Sequence, residues 1–243
     1  MTEELFRDDA TLRECSATVL ALAEGSVILD RTVFYPQGGG QAGDAGWLQL
    51  EDGRCATIVD ARKSKQHPGA VLHLLADADA ALLPPGTRVT AQIDWQRRHA
   101  HMRFHTSTHL LCALVPHPVD GCSITAAYAR LDFHMTEPLA KEALSAGIAR
   151  LVAEAHAVRQ RWISEAELNA NPGLVRSMSV QPPRGLGRIR VLEIEGVDLQ
   201  PCGGTHVANT AEIGGVIVTK IEKKSAMTRR VVLGFAEPAA GRS

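Results

Sequence analysis

Asp94-Trp95-Gln96-Arg97-Arg98-His99-Ala100-His101-Met102-Arg103-Phe104-His105-Thr106-Ser107-Thr108-His109-Leu110-Leu111 marks the point where this chain changes character. Within it, Arg97–Val115 reads as a helix, with Ala100, Phe104, Leu111 and Leu114 as apolar positions and a stop before Pro116. Upstream lie short alternating or β-rich stretches near Ala17–Leu22, Ser26–Asp30, Trp47–Leu50, Ala56–Ala61, Ala70–Leu75 and Arg88–Ile93. Turn chemistry separates them: Glu24-Gly25, Gly38–Gly40, Asp52-Gly53, His67-Pro68-Gly69 and Pro84-Pro85-Gly86. Short strands with Gly/Pro turns and no long helix predict a small β-barrel. The domain boundary is expected near residue 95, with a barrel over residues 1–95 and a second domain over 96–243.

The second part mixes elements. Pro138–Val158 carries Leu139, Leu144, Ile148, Leu151, Val152 and Ala155 at helical spacing and predicts an amphipathic helix. Ser164-Glu165-Ala166-Glu167 has the form of a capping box before a short helix. Arg188–Ile194 alternates as a strand, and Gly215–Ile221 with Arg229–Phe235 suggests a hairpin. The fold class expected is therefore α+β, a small N-terminal β-barrel followed by a two-layer α/β domain with an antiparallel sheet.

Two short pairs of potential metal ligands stand far apart: His105/His109 and Cys202/His206, the latter in Cys202-Gly203-Gly204-Thr205-His206. On a helix, positions i and i+4 share one face, so His105 and His109 suit one ion; the same spacing also offers His101/His105, with Cys112 further along. The second pair follows Pro201 and contains two glycines, which predicts a tight turn after a strand. Three imidazoles and one thiolate form a borderline-soft tetrahedral set, for which zinc is the first candidate, one ion per chain.

Composition narrows the setting. The 243 residues are 45% apolar with a formal net charge of −1, so global charge argues neither for nor against nucleic acid. Five irregularly spaced cysteines do not resemble a disulfide framework, the N-terminal residues have no apolar signal region, and no run reaches the ~18 apolar residues of a membrane span. A cytoplasmic protein with no membrane partner is expected, and its oligomeric state is not legible. Thr106 stands where His-Glu-x-x-His metalloproteases place a glutamate base, which argues against a peptidase. No deaminase signature occurs either.

His-Thr-Ser-Thr-His-Leu-Leu from His105, followed by Cys-Gly-Gly-Thr-His-Val from Cys202, resembles the editing domain of alanyl-tRNA synthetase. Phe34-Tyr35-Pro36-Gln37-Gly38-Gly39-Gly40-Gln41-Ala42-Gly43-Asp44 is similar to the glycine-rich segment of the barrel preceding that domain. Arg130-Leu131-Asp132-Phe133 and Asp198-Leu199-Gln200-Pro201 also match residues of that family, and the similarity runs from about residue 15 to residue 235. The chain has no room for a class II aminoacylation domain, so the resemblance implies a free-standing, medium-length editing protein of the AlaX type.

The resemblance further implies zinc-dependent hydrolysis of the ester joining serine, and in some members glycine, to alanine tRNA. His105, His109, Cys202 and His206 take the part of metal ligands. Thr108 is expected to contact the aminoacyl group, although a helix threonine also bonds its own backbone. Ser123, in the expected loop Asp120-Gly121-Cys122-Ser123, is the other candidate for reading the serine hydroxyl; Gly121-Cys122 departs from the family's glycine-serine. For the tRNA, Gly38, Gly39, Gly40 and Gln41 are expected near the 3′-end. Two basic clusters are candidates for phosphate contact: Arg97, Arg98 and Arg103, and Lys220, Lys223, Lys224, Arg229 and Arg230 on the hairpin. Four protein ligands close a tetrahedral zinc, so either one is loosely held or the ion positions substrate while another group handles water. Two alternatives stay open: a zinc-stabilised tRNA-binding module without catalysis, and a zinc hydrolase of a small ester or amide.

Overall fold

The computed structural model describes residues 1–23, 25–76, 79–178, 185 and 187–236; Glu24, in the first expected turn, lies outside them. Chain contacts divide the molecule into two compact units, Met1–His99 and Ala100–Ser243.

The first unit holds β1 (Glu3–Glu4), β2 (Glu14–Ala23), β3 (Ser26–Leu29), β4 (Arg31–Thr32), β5 (Gly46–Leu50), β6 (Cys55–Lys63), β7 (Val71–Leu75) and β8 (Arg88–Ile93). Six of these close a barrel in the order β2-β3-β7-β6-β5-β8. Closure follows from the alternation noted above: in β5, Gly46, Leu48 and Leu50 point in while Trp47 and Gln49 point out. Val19, Leu29, Leu48, Ile58, Val89 and Ile93 fill the interior.

The glycine-rich segment forms a tight turn. Gly38 and Gln41 exchange backbone hydrogen bonds of 3.1 and 3.0 Å, and both central residues, Gly39 and Gly40, are left-handed (φ 58° and 86°). Glycine takes two such positions in succession without steric cost. At Gly43 the constraint is space, because a Cβ would sit on the Ala61 carbonyl. The following Asp44 is buried and accepts from the Tyr35 amide (2.7 Å) and from Arg98 Nε (2.9 Å) and Nη2. Arg98 also donates to Ala10 O (2.8 Å) and Val33 O (2.6 Å) and is fully buried. This corrects the reading of Arg98 as a phosphate contact: its donors are spent inside. Arg97 is half-buried and donates to Gly43 O at 3.2 and 3.1 Å.

His73 makes the barrel sensitive to pH. It is fully buried, with Nδ1 donating to Val27 O (3.0 Å) and Nε2 accepting from Thr32 Oγ1 (2.7 Å). Burial depresses its pKa to about 4, from an ordinary 6.5. The unfolded chain therefore binds a proton that the folded chain refuses. Stability is complete above pH 6.5 and is lost as pH falls toward 4, by about 3 kcal/mol. Denaturant unfolding between pH 7 and 4 should show this slope, and His73→Gln should flatten it. An unchanged slope in the variant would assign the acid sensitivity elsewhere.

The second unit contains most of α1 (Trp95–Leu114), then β9 (Val119–Ile124), β10 (Ala129–His134), α2 (Lys141–Ala153), β11 (Val158–Ser164), α3 (Glu165–Ala170), β12 (Arg188–Ile194), β13 (Asp198–Pro201), β14 (Val216–Ser225) and β15 (Thr228–Phe235). Two antiparallel sheets form, β14-β15-β10-β9 and β11-β12-β13, and with the helices they make the α+β class. The expected hairpin is β14–β15, and Ser164 and Glu167 make the reciprocal capping box at the start of α3. Two expectations need correction. The helix over Pro138–Val158 is shorter, because Ala155 turns left-handed (φ 55°) and Val158 pairs with Ile194 instead. The Asp120–Ser123 loop is strand β9, paired along β10. Among the described residues, no helix is long and apolar enough to cross a membrane.

Candidate metal centre

His105 and His109 stand one turn apart on α1, and the turn after β13 carries Cys202 and His206 toward them. Their potential ligand atoms all lie within 4.8 Å of one another. Cys202 Sγ is 3.2 Å from His206 Nε2 and 3.5 Å from His105 Nε2. Tetrahedral zinc with ~2.0–2.1 Å nitrogen and ~2.3 Å sulfur bonds places its ligand atoms about 3.3–3.6 Å apart, so the donors fit in chemistry and spacing. His101 and Cys112, the alternatives offered by helical spacing, are outside the group, although both are buried on α1.

The surrounding polar groups orient the imidazoles. His109 Nδ1 donates to Asp198 Oδ2 (2.9 Å), and Gln200 Nε2 donates to both Asp198 oxygens (2.9 Å each). Thr106 Oγ1 gives its proton to Met102 O (2.9 Å) and accepts from His206 Nδ1 at 3.3 Å. Both rings are thereby held with Nε2 toward the centre, as outer hydrogen-bond partners of ligating histidines do. Asp198 and Gln200 were part of the family resemblance but had no role assigned. Their spacing of two residues on a strand, just before Cys202, was the available signal.

Charge is arranged to match. Burial opposes ionisation of Cys202, but the adjacent His105 and His206 outweigh it and hold the thiol well below its usual range. Burial and the neighbouring His105 push His206 down to about 3, which keeps it neutral. Burial would also lower His109, yet Asp198 and Cys202 outweigh it and raise it to about 10. A thiolate at Cys202 and a neutral imidazole at His206 are ligand forms, and an entering cation must displace the proton that Asp198 and Cys202 help His109 to hold.

The other expected residues fall in different places. Thr108 is buried, and its hydroxyl donates to His105 O (2.7 Å), so only its lone pairs are left for a further partner. Ser123 is opposite Arg130, whereas Cys122 is opposite Leu131, which is in turn opposite Val231. Val231, Leu233 and Phe235 alternate on one face of β15, and Phe235 stacks on Phe104 of α1 at 4.1 Å. Cys122 therefore shares the face that packs on the histidine helix, and Ser123 is on the opposite one. Of the two neighbours, Cys122 and not Ser123 is thus on the face toward α1. Among the basic residues, Lys223 and Lys224 are exposed. Arg229 donates to Ser225 O, Ala226 O, Thr228 O and Thr136 O, and Arg230 is held bidentately by Asp132 (2.7 and 2.8 Å).

Comparison with known proteins agrees with this arrangement. Residues 189–232 match the second additional domain of threonyl and alanyl tRNA synthetases, and residues 6–97 match the class II (A) tRNA synthetases. An alanyl-tRNA editing protein AlaX-M from Methanosarcina mazei is 33% identical over 254 residues, covering 99% of each chain. Its counterpart from Saccharolobus solfataricus is 32% identical over 242 residues, covering 95% of this chain and 98% of that one. The alanine–tRNA ligase of Metallosphaera sedula is 36% identical over 231 residues, which are 91% of this chain but 25% of the ligase. The fold and site thus define a tRNA-synthetase-type editing module. Within that class, the chain belongs to the alanyl-tRNA editing protein AlaX-M family.

Proposed function

We propose that this chain is an aminoacyl-tRNA deacylase that acts in trans on alanine tRNA carrying serine or glycine, with one zinc ion held by His105, His109, Cys202 and His206. The observation that carries the reading is the convergence of these four side chains in a chain of the AlaX-M family. A bound zinc ion supplies a Lewis acid that polarises or anchors the aminoacyl group beside the ester. The protein's own work is to orient. Asp198 and Gln200 hold His109, Thr106 holds His206, and the backbone amide of Gly204 points at Cys202 Sγ (3.5 Å).

Thr108 sits three residues after His105, on the same flank of α1. Because its proton is committed to His105 O, it reads a serine side chain as an acceptor, with the substrate hydroxyl donating. Thr108→Val keeps the shape and removes that acceptor. It should lower the rate on serine-charged tRNA about ten-fold, the worth of one neutral hydrogen bond of about 1.4 kcal/mol, while zinc stays bound. Unchanged discrimination between serine and alanine in that variant would move the reading of the hydroxyl to Cys122. Candidates for tRNA contact are the exposed Gly39 and half-buried Gly38 and Gly40 of the barrel turn, together with the exposed Lys223 and Lys224, whereas Gln41 is fully buried.

The decisive experiment is deacylation of separately prepared Ser-, Gly- and Ala-charged alanine tRNA by the purified protein. Serine-charged tRNA should turn over at least about ten times faster than alanine-charged tRNA, a difference of about 1.4 kcal/mol. Four protein donors fill a tetrahedral shell, which favours one other reading, a tRNA-binding module with a structural zinc. Zinc-loaded protein that binds the tRNA but hydrolyses none of the three esters would select it.

A further inference from the structure

The register of β11, β12 and β13 sorts their side chains onto two faces. One face carries Ile163, Ile189 and Val191 and is sealed by Leu168 of α3. The other begins at the metal centre, with Asp198 and Gln200, and continues along the strands to Arg190, Trp162 and Arg188. Gln200 is opposite Leu192, which is opposite Gln160, and Trp162 lies two residues further along β11. The strand rise puts Trp162 about 7 Å beyond the level of Gln200.

This stretch has an unusual surface. Trp162 is 50% exposed, and the Arg188 guanidinium lies 4.6 Å from its ring centroid. Arg190 donates to Cys202 O (2.8 Å) and Gly204 O (3.0 Å), so it ties the platform to the turn that presents Cys202 and His206. No carboxylate pairs with Arg188 among the described residues. Glu193 is on the opposite face, paired with Arg161 at 2.8 Å, and Asp198 is buried against His109 and Gln200. The exposed ring therefore has the Arg188 guanidinium against it, while Arg190 beside it is held by Gln160 Oε1 at 3.0 and 2.7 Å.

A flat, half-open aromatic side chain beside guanidinium groups is what a single-stranded nucleic acid needs: a surface for an unpaired base and positive charge for its phosphates. We propose that Trp162, Arg188 and Arg190 form the platform for the single-stranded 3′-end of the RNA, stacking an unpaired base on Trp162 and meeting the adjacent phosphate with Arg188. The inference deepens the deacylase reading by naming where the RNA end approaches the metal centre.

The test uses the full chain loaded with zinc and a fluorescein-labelled 12-nucleotide RNA ending in CCA. Trp162→Ala should weaken RNA binding about ten-fold, equivalent to about 1.4 kcal/mol. Trp162→Phe, which keeps a stacking ring, should recover most of the loss, and neither variant should lower the melting temperature. With serine-charged tRNA, Trp162→Ala should raise KM about ten-fold and change kcat much less. Wild-type protein that binds no RNA, or Trp162→Ala with wild-type affinity and KM, would overturn the platform. So would a change in oligomeric state without a change in RNA affinity, which would make this face a contact between copies. Failure of the deacylase reading is distinguishable: RNA binding that depends on Trp162, in a protein that hydrolyses no charged tRNA, leaves the platform standing.

Discussion

Cys202→Ala should leave the purified protein with less than about a tenth of the wild-type zinc, together with a lower melting temperature and loss of deacylation. Cys202 supplies the only thiolate of the four-donor set, and its Sγ is already within 3.2–3.5 Å of two of the imidazoles. Structural zinc sites contribute about 10–16 kcal/mol of apparent binding free energy in small peptides, so losing one of four ligands removes a large share of what fixes the Cys202–His206 turn. Stripping the wild type with a chelator should reproduce the variant's melting curve, and zinc should restore only the wild type. Asp198→Asn tests the outer support and should cost about 10–100-fold in metal affinity or rate, as outer partners of ligating histidines do. His101→Ala is the control, since His101 lies outside the group and zinc content should not change. Full zinc occupancy in Cys202→Ala, measured by elemental analysis, would remove Cys202 from the ligand set.

Arg98→Met should destabilise the first unit by about 3–5 kcal/mol, the cost of removing one partner from a buried ion pair. Asp44 would be left buried without the guanidinium that now donates to it from Nε and Nη2, and the carbonyls of Ala10 and Val33 would each lose a donor. The double variant Arg98→Met/Asp44→Leu should recover part of the loss, because apolar replacement of both charges avoids the stranded carboxylate. Urea unfolding reports both. A loss below about 1 kcal/mol in Arg98→Met would place this pair among exposed ion pairs in strength and contradict its burial.

Much of this protein is local in origin and could be read from residue order. The barrel strands alternate with period two between Gly and Pro turns, the Arg97–Val115 pattern has helical spacing, and Ser164 with Glu167 caps a helix by direct contact across three residues. The His105/His109 and Cys202/His206 pairs were legible for the same reason, since each is held together by its own short backbone segment. Other features depend on partners distant in sequence. Arg98 belongs to a basic run in the sequence, but Asp44, 54 residues earlier, takes its charge into the interior. Cys122 and Ser123 are neighbours whose faces were assigned only by pairing with β10 and by Phe235 stacking on Phe104. Val158 leaves a helical pattern because Ile194 offers it a strand partner. Short-range periodicity determines which segments become helix or strand. Which side of a strand meets the metal, and which charges are buried, is settled by register and packing between segments, and those are properties of the folded chain alone.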